Sequence, residues 1–250
     1  MSADNNIAFS ELVELNHKLD RQLENISSSK SSATGSSSQQ SFSGKQLIVR
    51  LIMLLIALVV PFLVLIRSSV YMYQTYRLNG WLALAVGVLA TVLLLIGYGG
   101  YITYRFRKNF RIHKYLVRGI IVLVTAYTIY GVLYYSSLNT KTDEINSYYR
   151  SLHPIMRVAI TTITLADSDL LITDIRREPE DYAEMRLPEN KQSLHYVQSD
   201  GYVHAVDLRS KGRPEWQNWL MRMAFNLTGL ESIRHVGTTD HLHIYLPLNE

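Results

Sequence analysis

The chain has 250 residues, no cysteine, eight histidines and a formal net charge of +4. The lack of cysteine excludes a disulfide framework and any thiolate metal site. The charge is divided: from Leu138 onward there are 12 Lys and Arg against 16 Asp and Glu, and before it 13 against 5, so the basic excess reports topology and gives no reason to expect a nucleic-acid partner.

In chain order, residues 1–26 come first. Phe9 to Ile26 reads as a helix, with Leu12, Leu15, Leu19, Leu23 and Ile26 at steps of three and four. Two roles stay open for this stripe: a short coiled coil for self-association or a protein partner, or an amphipathic helix lying on membrane lipid or on the bundle. Residues 27–45 are Ser-rich, without a core-forming pattern, and read as a flexible linker.

Residues 46–137 hold three apolar stretches: Gln46 to Ile66, Trp81 to Thr103 and Ile120 to Tyr135. A bilayer core about 30 Å thick needs about 20 apolar residues. The first two stretches meet that, and the third meets it with its flanks. Pro61 falls inside the first, where a kink is tolerated. Tyr71, Tyr73, Tyr76, Trp81, Tyr101, Tyr104, Tyr130, Tyr134 and Tyr135 cluster at the ends, as an interfacial aromatic belt does. So much apolar length exceeds what the rest of the chain can cover. The late start of the first stretch reads as a retained anchor rather than a cleaved signal.

Arg105, Arg107, Lys108, Arg111, Lys114 and Arg118 lie in or beside the second loop, against Arg67 and Arg77 in the first. By the positive-inside rule the second loop and the N-terminus are cytoplasmic. The expected protein is a three-span membrane protein whose C-terminal domain is extracytoplasmic, on the periplasmic or cell-wall side.

Residues 138–250 read as a small α+β domain with an antiparallel sheet. A helix is expected from Lys141 to Leu165, broken at His153-Pro154, then a strand from Leu170 to Ile175 and a charged loop from Arg176 to Lys191. Leu194 to Val197 and Tyr202 to Leu208 are expected to pair around Ser199-Asp200-Gly201. A helix from Glu215 to Leu227 follows, with Trp216, Trp219, Leu220, Met223 and Leu227 facing inward and the tryptophans serving the core rather than a sugar platform. Ser232 to Val236 and His241 to Leu246 are the last strands. No Gly-rich phosphate loop or nucleophile elbow is present. Two glycosylation-type triplets, at Asn25 and Asn226, carry little weight because such short matches arise by chance.

Six of the eight histidines lie in this domain, and His195, His204, His235, His241 and His243 fall in strand-like segments beside Asp207 and Asp240. Neutral imidazoles with a carboxylate are the usual ligand set of a catalytic zinc site. Ser193-Leu194-His195, Gly201 and Ala205-Val206-Asp207-Leu208 resemble the S-x-H … G … A-V-D-L motif of the zinc D-Ala-D-Ala carboxypeptidases and L-Ala-D-Glu endopeptidases, which share a hedgehog-like fold. Asp240-His241-Leu242-His243 resembles their closing motif, and Leu152-His153-Pro154 with Ile172-Thr173-Asp174-Ile175-Arg176 resembles their early helix and strand. The likeness spans about Leu152 to Pro247.

This resemblance implies that His195, Asp207 and His243 bind zinc. It implies Asp240 as the general base for a zinc-bound water that attacks a peptide carbonyl, and Arg176, with Ser193, at the substrate. The substrate class is short peptidoglycan stem peptides. Eleven residues separate His195 from Asp207, a longer interval than the family's. A three-residue loop over Ser199-Asp200-Gly201 puts His195 and Asp207 on one face and His204 on the other. A two-residue turn at Asp200-Gly201 brings His204 beside His195 instead. His204 and His241 are therefore rival ligands. Two functions stay open: a membrane-anchored zinc peptidase, or a catalytically degenerate module that binds or senses cell-wall peptides or serves a membrane complex.

Overall fold

The computed structural model describes residues 14, 17–25, 44–105, 110–136, 139–184, 192–237 and 240–248. Residues 27–43 of the expected linker, Leu12, Leu15 and Ile26 of the N-terminal stripe, Arg107 and Lys108 of the second loop, and residues 185–191 lie outside them. The chain forms two compact units, Met1–Ile52 and Met53–Glu250. In the first, residues 17–25 form helix α1, with Leu19 and Leu23 exposed.

Three long helices follow: α2 (Gly44–Tyr76), α3 (Gly80–Arg105) and α4 (Phe110–Leu133). Each contains a segment long and apolar enough to cross a membrane: Lys45–Tyr76, Gly80–Arg105 and Tyr115–Leu133. Pro61 lies inside α2, as expected. Leu47 to Val59 stay exposed along α2, whereas Leu65, Ile66, Ser69, Val70 and Tyr73 are buried. Leu65 and Ser69 lie at a close crossing with Gly87 of α3, where a Cβ would lie 2.4 Å from the Leu65 carbonyl oxygen. Small residues permit such backbone approach between apolar helices. In the expected aromatic belt, Tyr71, Tyr76, Trp81, Tyr101, Tyr104, Tyr130 and Tyr134 are exposed, but Tyr73 and Tyr135 are buried. Tyr73 packs on His153, and Tyr135 stacks on Tyr149.

The expected helix over 141–165 is three pieces: α5 (Asp143–Ser147), a 3-10 turn (Tyr148–Ser151) and α6 (Pro154–Ala166). Thr142 caps α5 by accepting from the Ile145 N–H. Pro154 opens α6 at a position whose N–H needs no partner, and the His153 Nδ1 atom accepts from the Ile155 N–H. Helix α6 is apolar on nearly every side because it packs on both the domain core and helices α3 and α4. It runs antiparallel to α4: Tyr127 hydroxyl to Thr162 Oγ1 is 2.7 Å, and the Arg157 Nη1 atom donates to the Val132 carbonyl oxygen at 3.2 Å. A cation at the last turn of α4 suits the negative end of the helix dipole. The Tyr149 hydroxyl donates to the Gly131 carbonyl oxygen at 2.6 Å, tying the 3-10 turn to the same helix end.

A four-stranded antiparallel sheet completes the domain, in the order β1 (Ile172–Asp174), β2 (Ala205–Arg209), β4 (His241–Tyr245), β3 (Glu231–His235). A short helix α7 (Pro179–Glu184) follows β1, and α8 (Glu215–Thr228) follows β2. Strand alternation divides the sheet. Val206, Leu208, Leu242 and Ile244 enter the core with Ile160 and Phe225. Asp207, His241, His243 and Tyr245 take the other face. The expected strand over 194–197 reduces to one bridge, Val197 to Val203. That bridge has the register of the three-residue loop, with Gly201 at φ +84, where a side chain is disfavoured.

The expected inward stripe of α8 is reversed. Asn218, Met221, Phe225 and Thr228 are buried, whereas Trp216, Trp219, Leu220, Met223 and Leu227 are exposed. Both sets recur with helical spacing, so periodicity alone does not choose between them. Phe225 and Met221 fit the space between α6 and the sheet.

Candidate metal centre

Asp207 and His243 sit directly opposite each other on β2 and β4. The loop before β2 folds over them and supplies His195. The His243 Nδ1 atom lies 2.9 Å from Asp207 Oδ1, the His195 Nε2 atom 3.3 Å from the same oxygen, and the two ring nitrogens 3.2 Å apart. These three atoms can hold a metal ion. Ligands bound at about 2.0–2.1 Å around a tetrahedral zinc are separated by about 3.3–3.4 Å, so the spacing fits that ion with only small adjustments.

The surrounding hydrogen bonds favour the same use. The His195 Nδ1 atom donates to the Ile175 carbonyl oxygen at 2.7 Å. This sets the tautomer and turns the Nε2 atom toward Asp207, a carbonyl-fixed imidazole of the kind that surrounds bound metals. Two acceptors facing each other at 3.3 Å repel unless a cation, proton or metal, lies between them. The Ser193 hydroxyl accepts from the His195 N–H at 3.3 Å and shapes the loop. Burial alone would lift the Asp207 carboxyl. Where the facing ring nitrogens of His195 and His243 carry a proton, their hydrogen bonds, with His241 nearby, instead hold it far below the usual carboxylate range.

The cation beside Asp207 is Arg177. It donates to Asp207 Oδ2 at 2.7 Å and to Asp174 Oδ2 at 2.6 Å, leaving Oδ1 to the histidines. Arg176, the residue expected at the substrate, is half-buried, paired with Glu178 and set over the Tyr148 ring. The chain leaves β1 after Asp174, so alternation no longer applies and Arg177 turns inward. An irregular strand end of this kind has no sequence period to announce it.

Asp240 is placed elsewhere. It accepts from the Ser210 hydroxyl at 2.6 Å and from Arg234 at 2.8 Å, and Arg234 also pairs with Glu215 at the start of α8. Hydrogen bonds from Arg234 and Ser210 pull the Asp240 carboxyl down to about 2. Ser210 and Arg234 belong to the core-side alternation of their strands, opposite to His243. His241 does share the His243 face. Its Nε2 atom is 3.7 Å from Asp207 Oδ2, and its ring stacks on His235 at 4.9 Å. Burial, then His241 and His243, push the His235 pKa down.

His204 joins a different group with His153 and Asp200, which can also hold a metal ion. The His204 Nε2 atom is 2.8 Å from Asp200 Oδ2, and His153 Nε2 is 3.9 Å from it. The donor set fits a metal less well here. His153 Nδ1 already accepts the Ile155 N–H, so its Nε2 atom carries the proton in the neutral ring and offers no lone pair. This group lies at the junction with the long helices, against Tyr73 and Gly80.

The chain matches no protein-family model, no curated protein and no solved structure, so any family reading rests on these residues.

Proposed function

We propose that the chain is a membrane-anchored zinc peptidase, whose C-terminal domain acts outside the cytoplasm on short peptides of the peptidoglycan-stem type. The observation that carries this reading is the convergence of His195 Nε2, His243 Nδ1 and Asp207 Oδ1 within 4.8 Å of one another, on residues that resemble a zinc-peptidase motif. His195, Asp207 and His243 would hold the zinc. When bound, zinc supplies Lewis acidity to a peptide carbonyl and to water. Arg177 orients Asp207 from behind. His241 is better placed than Asp240 to accept a proton, because it shares the ligand face whereas Asp240 is committed to Arg234. The arginine-rich second loop supports the orientation.

The arrangement at Asp240 also favours the second reading, a module of the same build that binds or senses cell-wall peptides without cleaving them. One experiment separates the two. The full chain, purified in lipid nanodiscs, is assayed for zinc and for cleavage of peptides ending in D-Ala-D-Ala or containing L-Ala-D-Glu. Stoichiometric zinc with cleavage, both lost in His243→Ala, supports the peptidase. Zinc with peptide binding and no cleavage supports the sensor. A chain that takes up no zinc sinks the metal centre and the peptidase reading with it, and the sensor reading falls if the chain binds none of these peptides.

A further inference from the structure

Helix α8 carries apolar side chains on two faces, and only one is covered. Trp216, Trp219, Leu220, Met223 and Leu227 are linked by spacings of three and four (216/219, 216/220, 219/223, 220/223 and 223/227), which place them on one helix face. Trp216 is 62%, Trp219 58% and Leu227 58% exposed. A contiguous apolar stripe of this kind marks a surface that meets another protein or a membrane.

Two relationships identify what covers it. The first is at the C-terminal end of the helix. Gly229 ends α8 in the left-handed conformation, and a Cβ there would lie 2.5 Å from Arg67 Nη1 and 2.9 Å from Val70 Cγ1 of α2. Arg67 is the first charge after the apolar run of α2. This is the height at which hydrocarbon gives way to lipid headgroups.

The second relationship is through α6. Helix α8 packs on α6, and α6 runs antiparallel along α4, with Thr162 bonded to Tyr127 and Val158 beside Gly131. Tyr127 and Gly131 lie within the candidate span Tyr115–Leu133. Helix α6 therefore descends beside residues of a span, and its Leu165 is 64% exposed. Helix α8 is thus tied to the spans at its C-terminal end and through α6.

We propose that α8 lies flat on the bilayer, with Trp216, Trp219, Leu220, Met223 and Leu227 sunk into the interfacial zone of a phospholipid leaflet. The residue types suit that zone. Tryptophan presents a large apolar body with one N–H that can reach a headgroup or water, and leucine and methionine supply the depth. An amphipathic helix parallel to the surface buries its apolar face in this way. The lipid contact holds the C-terminal domain down at a point separate from its spans, so the domain has a fixed tilt on the membrane.

The test uses the full chain in nanodiscs. The protein has three tryptophans, so Trp81→Phe combined with Trp216→Phe or Trp219→Phe leaves one reporter on α8. Both single-tryptophan chains should lose most of their emission to lipids brominated near the headgroup, to a similar extent, and both should resist quenching by aqueous iodide. An upright α8, roughly 21 Å long at 1.5 Å per residue, would hold Trp216 out of reach of the lipid, and iodide access to Trp216 alone would overturn the proposal. Shielding from iodide without lipid quenching would mean that a second copy of the chain covers the stripe, which also overturns it. Where Trp81→Phe impairs folding, the same comparison is read as the loss of lipid quenching on adding Trp216→Phe or Trp219→Phe to the native chain.

Discussion

His195 faces Asp207 across 3.3 Å, Nε2 to Oδ1, while the other nitrogen of its ring is fixed on the Ile175 carbonyl oxygen. A cation between the two atoms relieves their repulsion. Loading with zinc should therefore stabilise the fold, by about 2.7 kcal/mol at a free concentration 100 times the dissociation constant. Thermal unfolding of the full chain with zinc and after chelation measures this. His243→Ala should abolish the difference and leave the chelated midpoint little changed. Equal midpoints with and without zinc in the native chain would contradict a centre at this position.

Arg177 joins Asp174 to Asp207 and sits behind the ligand oxygen. Replacing it with methionine keeps the aliphatic stem and removes the charge. The Asp207 carboxylate, almost fully buried, then loses the one guanidinium that pairs with it among the described residues. The expected cost is about 2 kcal/mol of stability, below the range for a wholly buried pair because Arg177 is partly exposed. Zinc affinity should fall about 10- to 100-fold, as it does when groups behind a ligand are removed. Arg176→Met should change neither, since Arg176 pairs with Glu178 and the Tyr148 ring, away from Asp207. Titration of both variants with zinc decides between them.

The contrast between those two arginines shows where the sequence was informative. Asp207, His241 and His243 lie on regular strands, so alternation alone places them on one face. The Ser199-Asp200-Gly201 loop has a short list of conformations, which carries the register to His195. The α+β character and the three apolar helices follow from composition and period. Arg177 depends on an irregular strand end, Asp240 on an arginine from another strand, and the outward stripe of α8 on which of two apolar faces fits the core. Each of these is decided by a non-local partner that no sequence period encodes.

His153 should make stability sensitive to mild acid. Burial, then the neighbouring His204, outweighs Asp200 and pushes its pKa down to about 3, against about 6.5 in an unfolded chain. Between these values the unfolded state takes up a proton that the folded state refuses. Stability is therefore full above pH 6.5 and falls as pH drops toward 3, by up to about 1.4 kcal/mol per unit. Asp200 does not oppose the trend, because its own pKa is also lowered, and a lowered carboxylate pKa likewise makes stability fall with acid. His153→Asn keeps an acceptor for the Ile155 N–H and removes the titrating ring. Denaturant midpoints at pH 7 and pH 5 should differ more for the native chain than for this variant. An equal slope in both would show that His153 takes no part.

Gly80 stands at the start of α3 with the His153 ring against it, and a Cβ there would lie 2.2 Å from Nε2. The ring has little room to yield. Tyr73 packs on it at 4.8 Å, Tyr202 meets it edge-on at 5.7 Å, and its other nitrogen caps α6. Gly80→Ala should therefore push α3 away from the domain and cost about 1–3 kcal/mol, the range for forcing an extra methyl group into a packed site. Gly97 and Gly100, on the same helix, have nothing within 4 Å of an added Cβ. Alanine at either should be neutral or slightly stabilising, because it reduces backbone freedom inside a helix. Unfolding midpoints of the three variants in one detergent measure the difference. If Gly80→Ala proved as mild as the other two, the junction between α3 and the domain would be loose, and His153 would not be packed against it.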